Sequence, residues 1–182
     1  MIVLARHGET QDNCEPYRFQ GQRDTPLNEV GRAQARELAE RVAAHEPPFA
    51  SLWSSDLSRA RETADIVGAR IGLEPRLDAR LREGFRGRWE GRLFRDVERD
   101  EPEGFAAWRR DPAGFRFPGG ESLAEQQARV LAALADVEAS RELPALVVCH
   151  GGSIRAVLCD GCERGLAAFH EWTVPNGALV AR

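Results

Sequence analysis

Two histidines stand where short apolar runs end: His7 follows Ile2-Val3-Leu4-Ala5-Arg6, and His150 follows Val147-Val148-Cys149. Each run reads as a buried strand, and glycine follows each histidine, Gly8 in one case and Gly151-Gly152 in the other. In an open parallel α/β sheet, reactive groups collect at the carboxyl ends of strands, so two histidines far apart in sequence can converge on one crevice. Arg6 precedes the first histidine. Arg59 lies in the segment Ser54-Ser55-Asp56-Leu57-Ser58-Arg59, where a strand gives way to the first turn of a helix, whose free amides and dipole favour an anion. Guanidinium, imidazole and a helix N-terminus at one sheet edge are the groups that hold a phosphoryl group. A single histidine after a strand is an ordinary turn residue, so the reading rests on the repeated layout.

The bulk properties narrow the choice. At 182 residues the chain fits one domain, 1–182, with a core that needs no staples. A hydrophobic fraction of 42% and a charged fraction of 30% are those of a globular protein, and a net charge of -4 gives no general attraction to nucleic acid or an anionic membrane. No apolar run has spanning length and the N-terminus lacks a signal-peptide pattern, so a cytoplasmic location is expected. All 25 basic residues are arginine. That excludes a Schiff-base lysine and a P-loop lysine and leaves phosphate to guanidinium, imidazole and backbone amides. Cys14, Cys149, Cys159 and Cys162 read as reduced thiols. Cys159 and Cys162 have the spacing of half a zinc or redox motif, without a second pair.

Strand-like runs at Ile2-Arg6, Ser51-Ser54, Ala145-Cys149 and Ala178-Ala181 alternate with helical patterns, the signature of an α/β layer fold. Asn28 is placed to cap a helix that buries Ala35, Leu38, Ala39 and Val42 and that Pro47-Pro48 ends. A second helix runs from about Asp56 to Ile71 and stops near Gly72. Ser122-Leu123-Ala124-Glu125 forms a capping box that opens a third, with Leu123, Gln127, Val130, Leu131, Leu134 and Val137 along one side. A fourth begins near Ser153 and buries Ile154, Val157 and Leu158. The stretch from Glu83 to Gly120, rich in Gly, Arg, Pro and aromatics, reads as a lid-like excursion (84–120) over the carboxyl edge of the sheet, with short helices near Leu93-Arg99 and Pro102-Arg110.

Six ordered motifs, spread over nearly the whole chain, resemble the histidine phosphatase superfamily, the phosphoglycerate mutase-like group. They are Arg6-His7-Gly8-Glu9-Thr10 with Asn13; Gln20-Gly21 and Asp24-Thr25-Pro26-Leu27; Ser55 to Ala64; Leu81-Arg82-Glu83 leading to Trp89-Glu90-Gly91; Pro118-Gly119-Gly120-Glu121-Ser122; and His150-Gly151-Gly152 with Ile154-Arg155. The resemblance implies a three-layer α/β/α sandwich with a mainly parallel central sheet. It makes His7 the nucleophile that forms a phosphohistidine, its tautomer fixed by the Gly8 carbonyl. Arg6, Arg59 and His150 would surround the phosphoryl oxygens, the last as an imidazolium, with Asn13, Gln20, Gly21 and the Gly151 amide as further substrate contacts. Glu83 would give a proton to the leaving alcohol and then activate water, which requires a pKa raised above the usual carboxylate value. No metal or other cofactor is implied.

The chain departs from the common pattern in two places. The loop Cys14-Phe19 is one residue longer, which moves Arg18, and Arg86 stands before Gly87 where many relatives have an aromatic. Either arginine would be an ordinary surface charge or a ligand for a second anionic group of the substrate. The expected activity is hydrolysis of small phosphomonoesters, in the manner of alpha-ribazole and broad-range phosphatases. A cofactor-dependent phosphoglycerate mutase or a phosphohistidine-protein phosphatase is the alternative. A noncatalytic phosphate-binding module would have lost one of His7, Arg6, Arg59, Glu83 or His150, and a metal hydrolase would show a His-x-x-x-His pair or a carboxylate cluster. The partner expected is a small-molecule phosphomonoester, not nucleic acid or membrane. The sequence leaves open whether an apolar patch on the excursion is a substrate wall or the contact of a homodimer. His45, His170 and Glu9 carry no expected role.

Overall fold

The computed structural model describes residues Met1–Arg182. At its centre lie β1 (Ile2–Arg6) and β4 (Ala145–Cys149), paired in parallel, with Arg6 opposite Cys149. Both are apolar along almost their whole length because both faces are covered. β2 (Ser51–Ser54) pairs with β4 on one side, and the two-residue edge strand β3 (Arg76–Leu77) pairs with β2. On the other side β5 (Leu179–Ala181) runs antiparallel to β1, which gives the order β3-β2-β4-β1-β5. The mainly parallel sheet of the sequence reading is present; β3 has no counterpart there.

Alternation along the strands sends side chains to two separate cores. Ile2, Leu4, Val147 and Cys149 face α5 (Leu123–Ala139) and α6 (Gly151–Asp160), while Val3, Ala5, Leu146 and Val148 face α1 (Glu29–Ala43) and α2 (Ser58–Ile71). Helices on both faces make the three layers expected. Asn28 caps α1 by accepting from the Gly31 amide, Gly72 ends α2 in the left-handed region at φ 74°, and Ser122 and Glu125 form the capping box of α5.

Boundaries and phase differ in detail. α1 stops at Ala43, before Pro47-Pro48, because Ala44 and His45 already turn back onto the last helical carbonyls. α2 starts at Ser58, where the Ser58 amide is taken by the Asp24 carboxylate from a distant loop. α6 starts at Gly151, with His150 as its first flanking residue, two positions earlier than expected. On α5 the buried polar residue is Gln126, and Gln127 lies partly exposed. The excursion carries α3 (Phe94–Asp100) and α4 (Pro102–Arg110), close to the expected short helices. It closes on its own aromatic cluster of Phe19, Trp89, Val97, Trp108 and Phe117.

Candidate active site

The register of the sheet brings the two histidines together. The His7 amide donates to the Cys149 carbonyl, and the Ser55 amide donates to the Val148 carbonyl, so the first residues past β1, β4 and β2 lie side by side. The imidazoles of His7 and His150 meet edge to face with centroids 5.0 Å apart. Both are buried.

Hydrogen-bond partners assign their tautomers. Nδ1 of His7 donates to the Gly8 carbonyl at 2.6 Å, leaving a lone pair on Nε2. Nε2 of His150 donates to Ser55 Oγ at 2.8 Å, leaving a lone pair on Nδ1. The Nε–H of Arg59 is shared between these two lone pairs, at 3.3 Å from each. The other nitrogens of Arg59 donate to the carbonyls of Arg23 and Gly21, so Gly21 acts on the site through Arg59. Burial first, then the Arg59 charge, holds both imidazoles well below their ordinary pKa. His150 is therefore held neutral here, in place of the expected imidazolium.

His7 lines a cavity of about 540 Å³ together with Arg6, Asn13, Gln20, Glu83 and Arg86, while His150 and Arg59 are fully buried and form no part of its wall. Arg6 donates from Nη1 to the Val174 carbonyl, and its buried Nε has no partner. Asn13 accepts the Thr10 amide and leaves its buried Nδ2 unpartnered. Gln20 donates to Thr10 Oγ1. Gly151 opens α6 at the cavity wall; the next amide, that of Gly152, donates to Glu83 at 2.8 Å. Arg18 reaches the cavity but gives Nη1 to the Gly91 carbonyl and is 3.8 Å from Asp12.

Glu83 departs from the expected state. One oxygen accepts from the Gly84 amide, Gln126 Nε2 and, at 3.4 Å, Arg86 Nη2; the other accepts from Gly152. Burial pushes its pKa up, but Arg86, the two amides and Arg155 outweigh it and bring the carboxyl down to about 2. Glu83 is thus held as a carboxylate, not as the protonated acid expected.

Several neighbours had no assigned role in the sequence reading. Arg155 lines the cavity with its guanidinium over Phe169, at 4.3 Å from the ring centroid. Asn176 donates to the His7 carbonyl and fixes the backbone behind the imidazole. Gln126 ties Glu83 to Ser153. Asn176 lies in Pro175-Asn176-Gly177, a turn signal before the last strand, and Arg155 falls one helical turn after Gly151. His45 is at the surface against the Pro47 carbonyl, and His170 bonds the Trp108 carbonyl beside a smaller cavity that shares Arg6, Glu83 and Arg155 with the first. Glu9 holds Asn28. All four cysteines are free thiols.

A doubly covered parallel sheet with two histidines and buried arginines at its carboxyl edge defines an α/β enzyme built for phosphoryl groups. The model of the histidine phosphatase superfamily (branch 1) matches residues 2–181, and the chain belongs to that superfamily. It is 39% identical over 165 residues to the glucosyl-3-phosphoglycerate phosphatase of Mycobacterium tuberculosis, covering 86% of this chain and 72% of that one. It is 44% identical over 178 residues to the probable phosphoglycerate mutase GpmB of an Enterobacter species, covering 93% and 77%. Among solved structures, the mycobacterial glucosyl-3-phosphoglycerate phosphatase complexed with VO3 superposes with a TM-score of 0.86 at 36% identity, over 98% of this chain and 90% of that one. The alpha-ribazole phosphatase of Shigella flexneri does so at 0.84 and 28%, over 98% and 87%. The expected enzyme class, a phosphoric monoester hydrolase, agrees with the phosphatases among these relatives. No helix is long and apolar enough to cross a membrane.

Proposed function

We propose that the protein hydrolyses small phosphomonoesters by transferring the phosphoryl group first to Nε2 of His7 and then to water. The observation that carries this reading is the bond from His7 Nδ1 to the Gly8 carbonyl, which leaves a neutral, oriented lone pair on Nε2 at a cavity lined by arginine. In the first step an Nε2–P bond forms and the ester P–O bond breaks. Its electron pair stays on the alcohol oxygen, which takes a proton from Glu83. In the second, Glu83 takes a proton from water, the water oxygen bonds phosphorus, and the electron pair of the N–P bond returns to His7. The phosphoryl dianion entering beside Glu83 raises its pKa and favours the protonated state that the acid step needs.

Arg6, Arg59 and a His150 protonated at Nδ1 would neutralise the equatorial oxygens, with Asn13 Nδ2 and the start of α6 as neutral donors. The reading requires no metal: the positive charge comes from side chains, and no cluster of His, Cys, Asp or Glu is disposed to hold an ion. Structures of the mycobacterial relative with VO3 and with inorganic phosphate support a phosphoryl-sized anion in a pocket of this kind.

Phosphate release from a panel of phosphomonoesters, measured in chelator with His7→Ala alongside, tests the proposal. Release that His7→Ala abolishes, together with an acid-labile phosphoenzyme in the parent protein, is the expected result. Isomerisation of phosphoglycerate without net phosphate release would instead establish the mutase alternative, and release only from phosphohistidine protein would establish the protein-directed one.

A further inference from the structure

The arginines around Glu83 are unequally satisfied. Arg59 uses three nitrogens on carbonyls and imidazoles, and Arg129 of α5 gives its donors to the carbonyls of Arg80, Arg82 and Glu83 and to the Glu121 carboxylate. Arg86 is 7% exposed, yet its guanidinium makes a single hydrogen bond, the 3.4 Å contact to Glu83, and its Nη1 is buried without a partner. A buried cation so poorly paired is unfavourable unless something else completes its shell. Its plane lies over the buried ring of Phe117, 4.5 Å from the centroid, a contact that survives sliding along the face. Arg86 also lines the cavity that holds His7. Because it touches the acid, it is within reach of whatever alcohol the acid protonates.

We propose that Arg86 is a specificity-determining residue for an anionic group on the leaving alcohol. Binding that anion draws its guanidinium off Glu83 and frees the acid to act. This rests on the phosphatase reading above and extends it to the substrate: the preferred ester carries a second negative charge next to the phosphate. Among the arginines facing Glu83, Arg86 alone hydrogen-bonds its carboxylate. Arg59 and Arg129 are held by carbonyls, and Arg6 and Arg155, each with one guanidinium hydrogen bond, to the carbonyls of Val174 and Gly151, make none to the acid. Glu90 and Glu121 pull on Arg86 from the excursion side, and His7 and His150 are neutral. In the step concerned, the N–P bond forms at His7, the P–O bond breaks, and the alcohol oxygen takes the proton that Glu83 acquired from solvent.

The test uses two esters with one skeleton, sn-glycerol 3-phosphate and 3-phosphoglycerate, which differ by a hydroxymethyl against a carboxylate. Two quantities are read: kcat/KM, and the pH dependence of phosphoenzyme formation at saturating ester by rapid quench. In the parent protein the carboxylate ester should be favoured in kcat/KM by roughly 10- to 100-fold, the worth of a charge-assisted bond. Phosphoenzyme formation should also persist to higher pH with that ester, because it fails only when Glu83 loses its proton. Arg86→Gln should remove most of the preference and make the two pH limbs coincide, and Arg86→Lys should restore part of it. Equal losses on both esters in Arg86→Gln, or coincident limbs in the parent protein, would overturn the role of Arg86 while leaving the phosphatase intact. The parent comparison decides alone if Arg86→Gln does not fold. Failure of both esters to form a phosphoenzyme would overturn the phosphatase reading, and this proposal with it.

Discussion

Glu83 is surrounded by donors: two amides, the Gln126 side chain and Arg86. A carboxyl in that shell has no acceptor for its own proton, so the acid function proposed for it requires the substrate's charge beside it. Glu83→Gln keeps the shape and removes the proton transfer. It should lower phosphoenzyme formation from an alkyl phosphate about 10²- to 10⁴-fold, and from an aryl phosphate, whose leaving group needs no proton, far less. Rapid-quench rates on the two esters check this, and equal losses would remove Glu83 from the acid role. The residues proposed to hold the phosphoryl were legible because each sits in a local motif: Arg6-His7-Gly8 and His150-Gly151 straddle strand ends, and Arg59 opens a helix. The second ring was not. Gln126 is a polar residue on the buried side of α5, and the apolar stripe taken alone put Gln127 there instead. A buried polar group in a packing face is the signal that finds such a residue, but it requires helical phase to within one position.

At the scale of elements, the site depends on how α1 meets the loop after β1. Gly8 and Gly31 approach so closely that a Cβ on Gly31 would overlap the Glu9 backbone, and a Cβ on Gly8 would overlap the Gly31 carbonyl. The Asn28 amide donates to the Glu9 carbonyl, and its side chain both caps α1 and bonds the Glu9 carboxylate. The carbonyl that sets the His7 tautomer is thus braced by a helix start. Gly31→Ala should cost at least about 1–3 kcal/mol, the usual range for overpacking, and should lower kcat more than it raises KM, since it displaces the Gly8 carbonyl and not the cavity wall. Urea unfolding with steady-state kinetics measures both; a stable variant with unchanged kcat would disprove the bracing. Long elements with caps and stripes were readable in advance, as α1, α2 and α5 illustrate. The edge strand β3 was not. It is two exposed residues paired only to β2, and its Arg76-Leu77 has neither alternation nor an apolar run. The helix starts at Gly151 and Ser58 were blurred for another reason, since tertiary contacts to Glu83 and Asp24 satisfy their first amides in place of a side-chain cap.

For the molecule as a whole, the same chemistry sets a limit on acid stability. His7 and His150 are buried and neutral, with burial the first cause and Arg59 the second of pKa values well below 6.5. The unfolded chain protonates both imidazoles as pH falls through about 6.5, while the folded protein does not, so unfolding takes up protons and stability falls with pH. Above that value the two states carry the same protons at these sites and nothing is lost. Each histidine that stays neutral in the folded protein contributes a limiting slope of about 1.4 kcal/mol per pH unit below 6.5. Glu83 acts in a lower window. Its carboxyl, held at about 2 against an ordinary 4.5, stabilises the fold above pH 4.5 and loses that contribution as pH falls toward 2. Urea unfolding of the parent protein at half-unit steps from pH 7.5 to 5 should therefore give a slope approaching two protons at the acid end, and His150→Gln should remove one of them whatever it does to the absolute stability. Inorganic phosphate should raise the profile as a whole, because it binds only the folded site. A profile that stays level from pH 7.5 to 5, or one that His150→Gln leaves unchanged, would mean that the imidazoles protonate in the folded state. The neutral nucleophile inferred for His7 would then be lost along with the stability argument.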